Sequence, residues 1–297
     1  MVSFFQEGSE MNKKSRYSIS FLLPAMLIFI IFFIIPMLMS LFFSMTVWNF
    51  DNYTFVGLDN FKMFLTERSL NIGIRNTLMY AVVTSGAKVV LAFFIAVFLT
   101  GKIHTKNLIR SIVFFPNLVS TVAIGLTFTA LMHPTKGVFN QVIAFFGGKG
   151  PNWLGNVDLA LFSVAAVDIW KGISIATVIY IAGIASIDKT YYEAAAIDGA
   201  GRWQELRSIT MPLCLPAMNS VIILSFIGGL RSFDLIWSMT GGGPGFATDV
   251  MASIIYKEYA AGYYGLSTAG NVIMFFLIGF FAFPLQRFLL SKEEKLE

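Results

Sequence analysis

Cysteine is all but missing from this sequence. The single Cys214 excludes an internal disulfide and any cysteine-built metal framework. Histidine is as scarce: His104 and His133 stand in separate segments and make no ligand cluster. Charge is short too. Asp, Glu, Lys and Arg make up 13% of the chain, against about 25% in an ordinary soluble domain. No Ser/His/Asp triad, acid pair or metal constellation appears, which argues against a membrane enzyme. No phosphate-cradling G-x-x-x-x-G-K-[ST] run occurs either. The nearest string, "GGKG" at 147–150, has Gly150 where Ser or Thr is needed. An ATP-driven process therefore needs its motor on another polypeptide.

What is abundant is apolar. Hydrophobic residues make up 56% of the 297, with 31 Phe and 14 Met, a composition suited to a lipid-facing, repackable surface. The expected fold class is all-α: a polytopic membrane protein with six transmembrane helices. A spanning helix needs about 20 mostly apolar residues. Such runs lie at about 20–46, 76–99, 108–132, 159–186, 217–239 and 268–290. The first is too long for a signal-peptide core and no A-x-A site follows it, so it is expected to stay in the mature protein. Residues 1–19 and 291–297 form short terminal segments around a transmembrane domain, 20–290, and 187–216 is a polar loop within it.

Basic residues orient these spans. Lys13, Lys14, Arg16, Lys102, Lys106, Arg110, Lys189, Arg202, Arg207, Arg287, Lys292 and Lys295 fall on one side; Lys62, Arg68, Arg75, Lys136, Lys149 and Lys257 fall on the other. The positive-inside rule places both termini and the 187–216 loop in the cytoplasm. The net charge of +4 reads as this topology signal, with no nucleic-acid partner implied. Outside, "GVFNQVIAFFGG" is too short to span, and an amphipathic stretch from about Asp249 to Ala261 follows a Gly/Pro turn.

The polar loop reads as helix, glycine turn, helix. Thr190 with Glu193 fits a capping box, and Asp188 is a rival N-cap. Ala194, Ala195 and Ala196 are strong helix formers with small side chains. Asp198-Gly199 ends the first helix. Ala200 to about Thr210 forms the second, with Trp203, Leu206 and Ile209 at spacings of three. Pro212 and Pro216 then end it and start the fifth span. Glu193 has two readings: a cap for its own helix, or a carboxylate offered to a partner's cation.

The string Glu193-Ala194-Ala195, three residues, Gly199, nine residues, Ile209, one residue, Met211, Pro212 closely resembles the EAA loop of binding-protein-dependent ABC importer permeases. Asp198 and Ala200 match the common "DGA" form, while Met211 and Leu206 depart from the usual leucine and aromatic residue. "FDLIWSMTGGGPGFATDV", Phe233 to Val250, is similar to the segment after the fifth span in the carbohydrate-uptake branch. The resemblance implies one of two related permease subunits, as a heterodimer, served by two ATPase subunits and an external or periplasmic solute-binding protein. It implies that the hairpin is the coupling helix seated on the ATPase, that ATP and Mg bind there and no cofactor binds this chain, and that the cargo is a sugar, an oligosaccharide before a glycerol phosphate or polyol. A secondary transporter is the rival class, without an inverted repeat or selectivity-filter motif to support it.

Charges inside spans are costly and point to function. Lys88 lies in the second span; Asp168 and Lys171 lie three apart in the fourth; Arg231 and Asp234 lie three apart in the fifth. Each three-apart pair is either an intrahelical salt bridge or part of a polar pathway lining. Trp170 and Trp237 could add aromatic faces for sugar rings.

Overall fold

Hydrocarbon cannot hydrogen-bond a peptide group, so a chain this apolar is confined to helices wherever it meets lipid. The computed structural model describes residues 19–49, 51–101 and 104–294. Lys13, Lys14, Arg16, Lys102 and Lys295 lie outside the described residues. So do nearly all of the expected N-terminal segment 1–19 and the end of the expected tail 291–297. The described part is all-α but for one antiparallel ribbon, β1 (Thr46–Trp48) with β2 (Tyr53–Phe55).

Among the described residues four helices are long and apolar enough to cross a membrane unbroken: α1 (Leu23–Phe43), α3 (Arg68–Thr100), α7 (Ala160–Ala185) and α13 (Tyr264–Glu293). Two bent pairs raise this to as many as six. The first pair is α4 (Lys106–Leu118) with α5 (Thr121–Leu131), bent by 99°. The second is α9 (Arg202–Leu213) with α10 (Leu215–Leu230), bent by 68°. Short helices complete the chain: α2 (Asp59–Thr66), α6 (Val138–Phe145), α8 (Lys189–Ile197), α11 (Asp234–Thr240) and α12 (Met251–Ala260).

Two expected spans are not continuous. The run at 108–132 is divided at Val119 and Ser120. Val119 is extended and Pro116 sits one turn before it, without an N–H to carry the helix ladder. The run at 217–239 is divided at Arg231, Ser232 and Phe233. Arg231 follows the last turn of α10, where a cation meets the negative end of the helix dipole. Asp234 opens α11, where an anion meets the positive end. These two charges therefore belong to different helices and do not share one face.

Proline acts more gently elsewhere. In α1 the segment Ile30–Ile34 is π-helical just before Pro36, and the Ile35 N–H reaches back to the Ile30 carbonyl. In α9 the segment Leu206–Thr210 is π-helical just before Pro212, and the Met211 N–H reaches the Leu206 carbonyl. In each case the ladder slips by one residue next to a residue that cannot donate.

Packing centres on α3, which lies along α7 and α10. At about 1.5 Å per residue its 33 residues span roughly 50 Å, well beyond a hydrocarbon layer of about 30 Å. Gly229 lets α10 touch the α3 backbone: an added methyl would sit 2.7 Å from the Ala81 Cα. One core, with Phe93, Tyr180, Cys214 and Val221, fills the end of the bundle nearest α8. Another, with Tyr80, Val164, Leu235 and Ile236, fills the far half. No residue of α1 is buried, and it packs on α13. Its exposed Phe and Ile suit lipid.

At the end away from α8, one buried acid organises the loop 241–250. Asp249 is fully buried; its carboxylate accepts the Lys257 ammonium at 2.7 Å and the Ser253 hydroxyl at 2.8 Å. Its carbonyl accepts the Asn76 amide at 2.8 Å, which ties the loop to α3. Gly242, at φ +94°, leaves no room for a side chain beside that carboxylate. The Thr77 hydroxyl accepts the Met251 N–H and starts α12. Replacing Lys257 by Met strands a buried anion. The stability of the detergent-solubilised protein is expected to fall by about 3 kcal/mol, and adding Asp249→Asn is expected to recover part of it. A thermal midpoint for Lys257→Met equal to wild type contradicts this pairing.

Candidate functional site

The polar loop folds as a closed hairpin that projects from the bundle. Its first helix, α8, begins at Asp188, whose carboxylate accepts the Thr190 N–H at 2.9 Å. The cap is therefore Asp188, and Thr190 lies inside the first turn. That N–H holds the Asp188 carboxyl below the usual carboxylate range. The cap thus persists at neutral pH and is lost as the pH falls through that lowered value.

Glu193 is released from capping by this arrangement. Its carboxylate is exposed and makes no hydrogen bond or ion pair among the described residues. Ala194 is exposed beside it and Ala195 is half-buried. The helix ends in a six-residue closure: the Ala200 N–H bonds to the Ala195 carbonyl at 2.9 Å, and the Gly199 N–H bonds to the Ala196 carbonyl at 3.2 Å. Asp198 is the exposed C-cap, and Gly199 takes the left-handed conformation at φ +75°. This is the position that favours glycine after a helix.

The return arm, α9, starts with the Gly201 N–H on the Gln204 side chain at 3.0 Å. The Tyr192 and Thr210 hydroxyls, 3.0 Å apart, pin one arm to the other. Trp203 is exposed, whereas Leu206 and Ile209 turn inward, so the three do not form one outer face. The π turn between them changes the register. Leu206 packs on the Cys214 and Tyr180 core, and Pro212 is half-buried at the elbow into α10. The hairpin is thus anchored to the bundle through its return arm and bare along α8.

Two exposed apolar residues lie outside the motif. Ile197 is 87% exposed and Trp203 is 66% exposed. Both flank the glycine turn. The signal was an isoleucine and a tryptophan in a polar loop, with no span to join.

The membrane charges pair across helices. The Lys88 ammonium lies 2.7 Å from the Asp168 carboxylate and joins α3 to α7. Gly172, one turn beyond Asp168, leaves the space that the Lys88 stem occupies. Asp168 therefore does not bridge to Lys171. Lys171 instead donates to the Thr121 hydroxyl, beside the break in the third span. Arg231 and Asp234 are exposed at the break in the fifth. The two broken spans pack on each other through α5 and α11, where Gly125 makes room for Ser238. Trp170 is partly exposed, with the Phe128 ring 5.3 Å away. Trp237 is stacked on Phe233 at 5.7 Å and meets the Tyr256 ring at 4.8 Å. Among the described residues no group of His, Cys, Asp or Glu could hold a metal ion.

The chain is similar in sequence and in fold to known proteins. The model of the family "Binding-protein-dependent transport system inner membrane component" matches residues 88–295. The chain is 30% identical to the trehalose/maltose transport system permease protein MalF of Thermococcus litoralis, over 90% of this chain and 91% of that one. It is 31% identical to the multiple sugar-binding transport system permease protein MsmF of Streptococcus mutans, over 88% and 90%. Its fold matches a chain of a bacterial ABC transporter involved in the import of the acidic polysaccharide alginate, with a TM-score of 0.75 and 23% identity over 93% of both chains. The chain belongs to the binding-protein-dependent transport system inner membrane components, the transport permease subunits of ABC importers.

Proposed function

We propose that this chain is one of two permease subunits of an ATP-driven oligosaccharide importer in a bacterial or archaeal cytoplasmic membrane, with both termini cytoplasmic. The second subunit is a related permease. Two ATPase subunits bind ATP and Mg and hydrolyse the nucleotide, and an external or periplasmic solute-binding protein delivers the cargo. The observation that carries this reading is the hairpin: a rigid, glycine-turned pair of helices with an uncommitted carboxylate on a small-residue surface. The relatives named for trehalose/maltose and multiple-sugar transport support a sugar cargo.

In this reading Glu193, Ala194, Ala195, Asp198, Gly199 and Ala200 form the surface that the ATPase grips. Ile209 and Pro212 carry the motion into α10. The pathway runs past the two broken spans, where exposed backbone and charge are tolerated because they line a cavity rather than face lipid. Lys171, Arg231 and Asp234 offer hydrogen bonds to hydroxyl-rich cargo there. The Lys88–Asp168 pair holds the adjoining wall, Trp170 offers a ring face, and Trp237 steadies the far rim through Phe233 and Tyr256.

Two measurements check this. The Gly199→Val variant meets no clash, since open space surrounds that site, but carries a left-handed penalty of about 1–2 kcal/mol. In the reconstituted complex, cargo-stimulated ATP hydrolysis is expected to fall by about tenfold. Gly199→Asn, which tolerates positive φ, is expected to keep most of the activity. Wild-type transport by Gly199→Val would show that the turn carries no coupling. The second measurement concerns sidedness. Cys214 is buried, so Ile197→Cys provides the accessible thiol. A membrane-impermeant maleimide is expected to label it in inside-out vesicles and not in intact cells; labelling from outside the cell reverses the assigned orientation.

A further inference from the structure

A cavity of about 420 Å³ lies between α4 and α7, at the end of the bundle that carries the hairpin. That volume falls within the range of small-ligand sites, roughly 300–1,000 Å³. Most of its wall is apolar, with Leu99, Val113, Phe114, Val178 and Ile181 lining it. Its hydroxyls are largely committed: Ser174 donates to the Val113 carbonyl at 2.7 Å, and Ser111 donates to the Asn107 carbonyl at 3.1 Å. A sugar would find few partners here.

One cation stands at this cavity with donors to spare. Arg110 lines it and, among the described residues, makes one hydrogen bond, from Nη2 to the Leu99 carbonyl at 3.3 Å. A guanidinium has five N–H donors, and the Arg110 Nε is buried with no partner. A second polar group is unsatisfied in the same wall: Thr177 is 1% exposed and its hydroxyl has no partner. Lys106 lies one turn before Arg110, on the same side of α4. On the same helix Leu108, Ile112, Phe115 and Leu118 are all at least 60% exposed, as lipid-facing residues are.

An apolar slot with a half-buried cation in its wall, on a helix with exposed apolar residues, matches an amphipathic anion. Basic pockets between membrane helices on the cytoplasmic side suit acidic lipid headgroups. We propose that this cavity is a binding site for an anionic glycerophospholipid of the leaflet nearest the hairpin. One acyl chain lies along Val113, Phe114, Val178 and Ile181, and the phosphate lies on Arg110. The lipid would wedge between the first half of the broken third span and α7, one helix away from the hairpin.

The test uses the assembled transporter in detergent micelles doped with dioleoyl-phosphatidylglycerol or dioleoyl-phosphatidylcholine, with bound lipid counted by native mass spectrometry. Wild type is expected to retain phosphatidylglycerol in preference to phosphatidylcholine. One headgroup contact with a cation is worth about 1 kcal/mol, so Arg110→Gln is expected to lower retention about fivefold. Val178→Trp, which fills the slot and keeps the charge, is expected to lower retention of both lipids. Arg75→Gln, which removes an exposed cation elsewhere on the chain, is expected to match wild type. Equal retention by Arg110→Gln and wild type overturns the proposal, as does an equal loss in Arg75→Gln. Displacement of the lipid by maltotriose would assign the cavity to the cargo pathway and would overturn it too. None of these outcomes depends on the hairpin coupling to an ATPase.

Discussion

A charge or a broken helix inside hydrocarbon is costly without a partner, and much of the architecture follows from supplying one. The Lys88–Asp168 pair is the clearest case. Either charge alone would be prohibitive at that depth. Together they join the second span to the fourth, and Gly172 gives the lysine stem its place. The breaks obey the same rule. At 119–120 the Thr121 hydroxyl takes the Lys171 ammonium; at 231–233 the two charges sit at the helix ends whose dipoles they oppose. The π turns before Pro36 and Pro212 re-bond the ladder where proline cannot donate.

This constraint also explains why the hairpin is built as it is. Outside the hydrocarbon, water satisfies exposed groups, so α8 can leave a carboxylate and a strip of alanines bare. The return arm cannot, because it leads into the bundle. Thr210 is buried against Tyr192, Leu206 joins the Cys214 core, and the Pro212 elbow directs the chain into α10. A load on the bare arm therefore passes through a pinned hairpin into a helix that ends at the break beside Arg231. In the proposed function this path is the mechanical link between a cytoplasmic motor and a polar pathway, and it is made of packed side chains.

Much of this was legible in the sequence, for identifiable reasons. Apolar run length located the membrane helices, because no soluble fold could bury them. Gly199 announced its turn, because few residues other than glycine accept that φ. The capping residue was legible only as a choice between Asp188 and Thr190, since both fit the spacing. The helix breaks were not read from the run lengths: Pro116 falls inside an apolar run long enough to span, and the break follows it by one turn. The Lys88–Asp168 pair was not legible: spacing of three offered Asp168–Lys171 as one of two readings, while only tertiary contact shows Lys88. Asp249 and Lys257 were not paired in the sequence, since the contact runs from a residue just before α12 to one in its last turn and only the fold shows the acid to be buried. Trp203 faces outward although a spacing of three groups it with Leu206 and Ile209, because Leu206 packs on the Cys214 core, a tertiary contact that spacing does not show.

The central claim is that the bare face beside the glycine turn is gripped by an ATPase. A photoreactive benzoylphenylalanine placed at Ile197, in the assembled complex, tests this most directly. The account predicts a cross-link to the ATPase subunit, strengthened when nucleotide closes the ATPase pair. Cross-links confined to lipid or to the solute-binding protein would contradict it.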